Sequence, residues 1–220
     1  PTLPADAWTA LPDQAAFDRL VGLARAYWNV PKGAAILPTA GASAPIAALP
    51  RLLDKGRVAI PTPTYNEHAA GFTNAGWTVD PGGTDAIVAV HPNSPDGRMW
   101  TADALTAPLR IIDESFCDVT PDASLIAMAA EPGTVVLKSF GKFWGMAGLR
   151  LGFAIGDPAL INPLRDLLGP WNVSGPALAI GAEALSDPAW SDDTRARLTN
   201  DAARLDDLMT SKGSPLVGGT

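Results

Sequence analysis

The chain alternates short apolar runs with longer stretches in which polar positions interrupt the apolar ones. Continuous apolar runs are typical of strands that are buried on both faces of a sheet. They predict seven strands, at residues 35–37, 57–60, 78–79, 86–90, 109–113, 135–138 and 151–155. The longer stretches predict helices at residues 43–53, 67–75, 123–130, 158–168, 176–185 and 190–211. This alternation indicates an α/β fold with a mainly parallel sheet covered on both faces.

Composition and charge favour a globular protein that binds a small molecule. Hydrophobic residues make up 47% of the chain and charged residues 18%, which is too apolar for disorder, and Gly and Pro interrupt any candidate membrane span. The formal net charge of −7 argues against nucleic acid, because phosphate backbones need clustered Lys and Arg. The single cysteine, Cys117, excludes an internal disulfide and is typical of a reducing compartment. No targeting segment is visible, so we expect the cytoplasm.

Two polar residues follow neighbouring apolar runs. Lys142 comes after the predicted strand 135–138 across a turn of small residues, where its amine can enter a cleft at the carboxyl end of the sheet and bond a carbonyl group. Asp113 ends the predicted strand 109–113, so its carboxylate is expected at the same edge of the sheet. The alternatives are a surface lysine and an aspartate that caps a helix or turn. We expect the neighbouring Glu114 to be structural.

Three segments offer groups that can bind a phosphate. The segment Gly41-Ala42-Ser43 lies between a predicted strand and a predicted helix, where backbone N–H groups and a hydroxyl can face an anion. Arg150 offers a forked cation and Ser139 a further hydroxyl. Taken singly, each is also compatible with an ordinary helix cap or a surface residue.

Two further positions can contact a flat ligand. Tyr65 follows a predicted strand and can stack its ring on a cofactor or pack in the core. Asn93 and Ser94 begin a turn rich in amide and hydroxyl groups, with or without a ligand contact. His68 and His91 are far apart and have no acid–nucleophile pattern around them, so the sequence predicts neither a catalytic triad nor a metal site.

The sequence resembles the fold type I pyridoxal phosphate enzymes, the aspartate aminotransferase-like superfamily, over nearly its whole length. The motifs that carry the resemblance run in the family's order: Gly41-Ala42-Ser43, Tyr65, Asn93-Ser94-Pro95-Asp96-Gly97, Asp113, Lys142 and Arg150. The resemblance implies an α/β large domain of three αβα layers around a mainly parallel mixed sheet. Within the superfamily, residues 93–98, 113–116, 141–145 and 168–177 look most like the histidinol-phosphate aminotransferase branch and, inside it, the threonine-phosphate decarboxylase group.

The resemblance also implies a role for each residue. Lys142 would bond the aldehyde of pyridoxal 5'-phosphate, Asp113 would pair with the pyridinium nitrogen, and Tyr65 would stack on the ring. Either Ser94 or Asn93 would contact the phenolic oxygen, where the family pattern has an asparagine that aligns with Ser94. The residues around the cofactor phosphate would be Gly41, Ala42, Ser43, Ser139 and Arg150.

Besides Ser94, two further residues depart from the family pattern. Gly141 stands where many relatives have a second hydroxyl residue, which weakens one phosphate contact. Phe116 stands where aminotransferases commonly have a tyrosine that reaches the phenolic oxygen, and the decarboxylase group resembles this chain in having phenylalanine.

Three functions follow from the resemblance. The first is decarboxylation of L-threonine O-3-phosphate to 1-amino-2-propanol phosphate in cobalamin biosynthesis, by a homodimer that binds neither nucleic acid nor membrane. The second is an aminotransferase such as histidinol-phosphate aminotransferase. The third is a non-catalytic remnant that binds the cofactor or a partner.

The domain division expected from these patterns has three parts. Residues 1–32 are a helical segment, residues 33–188 are the pyridoxal phosphate-binding large domain, and residues 189–220 are a helix that leads towards a small C-terminal domain. Because the chain begins at Pro1 and ends at Thr220 without that domain, we expect a fragment.

Overall fold

A seven-stranded sheet forms the centre of the protein. The computed structural model describes residues 3–216 and residue 218. The seven predicted strands are confirmed, each to within two residues at either end. They are β1 (Ala35–Thr39), β2 (Arg57–Ala59), β3 (Thr78–Val79), β4 (Ala86–Val90), β5 (Leu109–Asp113), β6 (Thr134–Ser139) and β7 (Gly152–Gly156).

The sheet is mixed but mainly parallel, as expected. Its strand order is β1-β7-β6-β5-β4-β2-β3. Strand β7 is antiparallel to both β1 and β6, and the other neighbouring pairs are parallel. Strands β4, β5 and β6 therefore end at the same edge of the sheet, where Asp113 pairs in register with Leu137 and Ser139 with Gly152.

Helices cover both faces of the sheet, so the three-layer αβα arrangement is confirmed. On one face, Leu20 and Leu178 pack with Phe153 in a hydrophobic core; on the other face, Phe72 and Ile161 pack in a second core. The helices are α1 (Gln14–Tyr27), α2 (Ser43–Ala48), α3 (Asn66–Asn74), α4 (Pro158–Leu168), α5 (Gly175–Leu185) and α6 (Pro188–Ser211).

Two helix predictions differ from the structure. Residues 123–130 do not form an α-helix but two short 3-10 turns, because the Leu125 N–H and the Ser124 hydroxyl donate to the buried carboxylate of Glu114 instead of to helical carbonyls. The predicted helix at 43–53 is α-helical only to Ala48, and a 3-10 turn containing Pro50 follows. Proline has no N–H to continue the helical ladder.

The predicted domain boundaries stay predictions. The segment 1–32 contains α1, and the segment 189–220 contains most of α6, but residues 1, 2, 217, 219 and 220 lie outside the described residues. In the C-terminal half of α6, Leu205, Leu208 and Met209 are exposed. Among the described residues, each helix is too short or too polar to cross a bilayer.

Strand β7 and the loop after β1 approach each other so closely that only glycine fits between them. A Cβ on Gly152 would lie 2.5 Å from the Ala42 nitrogen and 2.6 Å from the Gly41 carbonyl carbon. The loop therefore rests directly on the sheet, and its position is set by backbone packing.

We predict that Gly152→Ala destabilises the protein by about 1–3 kcal/mol, because the added methyl group must displace backbone atoms. Chemical denaturation of the variant and the parent measures this difference. Gly148→Ala is the matched control, since nothing lies within 4 Å of a Cβ at that position. Equal stability of the two variants would contradict the close-packing argument.

Candidate active site

A cavity of about 490 Å³ opens at the carboxyl ends of the parallel strands. The structure brings all of the predicted site residues except Asn93 to its walls. Those residues are Gly41, Ala42, Ser43, Tyr65, Ser94, Asp113, Ser139, Lys142 and Arg150. Ligands of α/β proteins with open sheets commonly bind at this edge.

Asp113 is a buried carboxylate whose two oxygens are both hydrogen-bonded. Its Oδ2 lies 2.8 Å from His68 Nε2, and its Oδ1 accepts from the Ser115 N–H at 2.9 Å and the Ser115 hydroxyl at 2.6 Å. Burial alone would raise the pKa of the Asp113 carboxyl, but His68 and Ser115 outweigh it and hold the pKa below its usual value. Asp113 is therefore a fixed negative charge at the cavity wall.

His68 is a site residue that the sequence interpretation missed. It is buried in α3 and contacts Asp113 from the helix layer, and its ring meets that of Tyr65 edge-on at 6.1 Å. The signal that could have found it is its spacing, because a residue three positions after Tyr65 at the start of a helix lies on the same helix face.

Lys142 lies in the loop between β6 and β7 with its amine at the cavity. Its Nζ is 4.9 Å from the centre of the Phe116 ring, a cation–π contact. Phe116 also lines the cavity. The amine therefore faces an apolar ring at the position where the sequence pattern departs from that of aminotransferases.

Arg150 lines the cavity beside the loop that follows β1. Its guanidinium donates to the Ser43 hydroxyl at 3.0 Å and to the Ala147 carbonyl at 3.1 Å. A Cβ on Gly41 would lie 2.6 Å from Arg150 Nη2, so a side chain there would displace the guanidinium. Arg150 itself has a left-handed backbone, with φ 53° and ψ 49°, a conformation that non-glycine residues adopt mainly at functional or strained sites.

Ser139 and Tyr65 complete the walls. The Ser139 hydroxyl oxygen accepts from the Gly141 N–H at 3.1 Å, which leaves its own O–H to donate elsewhere. The Tyr65 side chain is 47% exposed and lines the cavity. The alternative of core packing for Tyr65 is therefore wrong.

The two residues of the predicted turn differ in placement. The Asn93 amide joins the turn to the loop after β2: its Nδ2 donates to the Asp96 carboxylate within the turn and to the Pro63 carbonyl at 2.9 Å, and its Oδ1 accepts from the Thr64 hydroxyl at 2.6 Å. Ser94 is exposed and lines the cavity. Of the two alternatives for the phenolic oxygen, the geometry places Ser94 at the cavity.

A second cluster of candidate ligands lies in the interior but is not suited to a metal ion. Donor atoms of His91, Glu114 and Cys117 lie within 4.8 Å of one another. The Nδ1 of His91 accepts from the Trp100 N–H, and its Nε2 faces the Ala123 carbonyl, so both ring nitrogens are occupied. Burial raises the pKa of the Cys117 thiol to about 12, which disfavours the thiolate that a metal requires.

The cavity has the groups that a phosphorylated aromatic aldehyde requires. Lys142 offers an amine, and Asp113 offers a buried anion for a protonated ring nitrogen. Arg150 and Ser43 offer donors for a phosphate, and the missing side chain of Gly41 gives the Arg150 guanidinium room to lie against the loop. The residues present therefore fit pyridoxal phosphate.

The comparisons with known proteins show the family of the chain. The family model for aminotransferase class I and II matches residues 79–219, and the chain belongs to this family. Two relatives are similar to the whole chain and carry the same name: the threonine-phosphate decarboxylase of Pseudomonas aeruginosa is 38% identical and that of a Sinorhizobium species 37% identical. The chain spans 71% of the length of each.

A solved structure with a similar fold comes from the aminotransferase branch. The histidinol-phosphate aminotransferase of Sinorhizobium meliloti, in complex with pyridoxal-5'-phosphate, superposes with a TM-score of 0.77 at 19% identity. The match covers 96% of this chain and 65% of that protein. At this identity the likeness shows the fold alone, and it confirms the expected α/β architecture.

We predict that replacing Asp113 with asparagine removes a stability contribution that depends on pH. Because the folded state lowers the Asp113 pKa, its charge stabilises the fold above the ordinary value of 3.8, and this contribution is lost as the pH falls through the folded pKa. The difference in unfolding free energy between the parent and Asp113→Asn should stay constant at higher pH and narrow as the pH falls below 3.8, in urea titrations.

The control for this measurement is Asp166→Asn, on the exposed face of α4. The difference in unfolding free energy between Asp166→Asn and the parent should stay small at every pH. A difference for Asp113→Asn that is constant over the same range would show that the carboxylate gains nothing from His68 and Ser115.

Proposed function

We propose that this chain belongs to a pyridoxal phosphate-dependent lyase that decarboxylates L-threonine O-3-phosphate to 1-amino-2-propanol phosphate. The observation that carries the proposal is one cavity lined by Lys142, the buried anion of Asp113 and the Arg150 guanidinium. The chain around this cavity is 38% identical, over its whole length, to a protein named threonine-phosphate decarboxylase.

Each side chain has a task that its surroundings support. The Lys142 amine would hold the cofactor through its aldehyde group. The Asp113 carboxylate, held by His68 and Ser115, accepts the hydrogen bond of the ring nitrogen and keeps it protonated. Tyr65 stacks on the ring, and Ser94 is placed to contact the phenolic oxygen.

The phosphate of the cofactor is assigned to the opposite end of the cavity. The Arg150 guanidinium binds it together with the Ser43 and Ser139 hydroxyls. Gly41 and Ala42 allow the backbone to approach it, because Gly41 has no side chain and a left-handed φ of 77°. The two hydroxyls, which donate their O–H groups to the phosphate, and the guanidinium fix the end of the ligand that does not react.

The reaction breaks the bond between the α-carbon and the carboxylate carbon of the substrate. When bound, the cofactor supplies a protonated ring that accepts the electron pair left at the α-carbon as carbon dioxide departs. Asp113 stabilises this charge by holding the ring proton. The Lys142 side chain, in its ammonium form while it is not bonded to the cofactor, would deliver the proton that the α-carbon gains in place of carbon dioxide and would become the neutral amine.

A second candidate function is transamination, as in histidinol-phosphate aminotransferase. It is supported by relatives such as that of Symbiobacterium thermophilum, 29% identical over 64% of this chain. In that reaction the α-proton leaves instead of the carboxylate. Decarboxylation is favoured in our proposal by the two relatives named threonine-phosphate decarboxylase, which are 38% and 37% identical over the whole chain.

The remaining expectations are part of the same proposal. We assign the reaction to cobalamin biosynthesis in the cytoplasm, with a phosphorylated amino acid as the substrate and a homodimer as the working form. Residues 33–188 would be the cofactor-binding large domain, and α6 would lead from it into a small domain. The following experiments would also show whether the protein is instead a non-catalytic remnant.

We predict that the purified protein binds pyridoxal phosphate with a visible absorption band at about 420 nm that depends on Lys142. In Lys142→Ala this band should move to the position of the free aldehyde. Borohydride reduction followed by peptide mapping should place the cofactor on residue 142 in the parent.

Lys32→Ala is the matched control, because Lys32 is an exposed lysine that does not line the cavity. Its spectrum should equal that of the parent. If the parent has no lysine-dependent band, both enzyme functions fail and the remnant interpretation takes their place.

We predict that the holoenzyme releases carbon dioxide from L-threonine O-3-phosphate in equal amount to the amine product. Carboxyl-labelled substrate and chromatography of the amine measure the two together. Transfer of the amino group to 2-oxoglutarate, without carbon dioxide, would select the aminotransferase instead.

A further inference from the structure

A buried carboxylate outside the cavity holds the loop that carries Lys142. Asp118 is 3% exposed and lies in a 3-10 turn (Cys117–Val119). Its Oδ1 accepts from the Trp28 indole N–H at 2.8 Å, and its Oδ2 accepts from the Trp144 indole N–H at 2.9 Å. One carboxylate therefore links α1 to the loop between β6 and β7.

The charge of Asp118 makes these two indole donors important. Glu114 and Asp118 are both buried, and the one ammonium between them, Lys138, lies 2.6 Å from Glu114 Oε2 and 3.7 Å from Asp118 Oδ1. Burial would lower the pKa of Lys138, but the two carboxylates outweigh it and raise the pKa, so the ammonium stays charged. Two carboxylates with one ammonium leave a surplus negative charge, which must be satisfied by N–H and O–H donors.

Trp144 connects Asp118 to the loop that carries Lys142. It follows Lys142 by two residues, in a turn closed by the hydrogen bond from the Gly145 N–H to the Lys142 carbonyl at 2.9 Å. The Trp144 ring is 4% exposed. It stacks between Phe140, at 4.9 Å, and Trp190, at 5.4 Å.

The same short segment contacts Lys142 directly. Phe116 precedes Asp118 by two residues, and its ring lies under the Lys142 amine. The segment after β5 therefore meets the Lys142 loop at two points: through Phe116 at the cavity and through Asp118 in the interior. The interior contact involves no group that the proposed reaction uses.

We propose that Asp118 is a positioning residue, which fixes the Lys142 loop by accepting the indole hydrogen bond of Trp144. The inference rests on the proposed function, in which Lys142 bonds the cofactor. Asp118 touches neither the cavity nor a reacting atom, so it acts only through Trp144.

The test compares two variants that each remove one donor from the same carboxylate. Trp144→Phe removes the indole N–H in the Lys142 loop and keeps an aromatic ring for the stack. Trp28→Phe removes the other indole N–H, which lies on α1. Changing Asp118 itself would also disturb Lys138 and is less informative.

Two readouts are measured on the full chain. The first is a titration with pyridoxal phosphate, followed by the lysine-dependent visible band. We expect Trp144→Phe to weaken cofactor binding about tenfold, as the loss of one hydrogen bond to a charged group predicts, and Trp28→Phe to leave it unchanged. The second is hydrogen exchange of the peptide covering residues 140–146 without cofactor, which should be faster in Trp144→Phe alone.

The outcomes separate this inference from the proposed function. Equal cofactor affinity and equal loop exchange in the two variants would overturn the positioning role of Asp118. A parent protein without the visible band would overturn the proposed function, while the exchange measurement would still decide whether Asp118 anchors the loop. Faster exchange in the loop of Trp144→Phe alone supports the anchor.

Discussion

Two consecutive carboxylates at the end of β5 must be satisfied on opposite faces of one sheet. Side chains alternate along a strand, so Asp113 faces the cavity and Glu114 the opposite layer. A buried carboxylate is costly unless it is paired or hydrogen-bonded. Asp113 pairs with His68 on α3, and Glu114 pairs with Lys138 on β6. The position of the site relative to both helix layers follows from this requirement.

The buried pairs also explain why the site and the interior behave as one structure. Glu114 pins the residues after it through Ser124 and Leu125, and the next carboxylate, Asp118, holds two tryptophans. The segment between β5 and these turns is therefore fixed by charge on one face and by the cavity residues on the other. The cavity is open to solvent, but the segment after β5 that forms part of its wall is held by hydrogen bonds in the interior.

The sequence predicts the strands of the sheet better than it predicts which buried side chains contact each other. Continuous apolar runs located the strands of the described residues, because both faces of the sheet are covered except at the exposed edge strand β3. Asp113 and Lys142 could be placed at one edge because they follow parallel strands. His68 and Asp118 were missed because the groups that they contact lie far away in the sequence: Asp113 follows His68 by 45 residues, and Asp118 accepts from Trp28 and Trp144. The failed helix at 123–130 has the same origin: local propensity favoured a helix, but the distant Glu114 carboxylate took its donors.

The contact between Gly152 and the loop at Gly41 joins the rim of the cavity to the central sheet without any side chain between them. Binding at this rim and folding of the sheet are therefore thermodynamically linked. A ligand that binds only the assembled loop stabilises the whole fold by mass action. Conversely, a change that destabilises β7 weakens ligand binding even if every side chain that contacts the ligand is intact. In this protein the affinity for the cofactor therefore depends in part on the stability of the sheet.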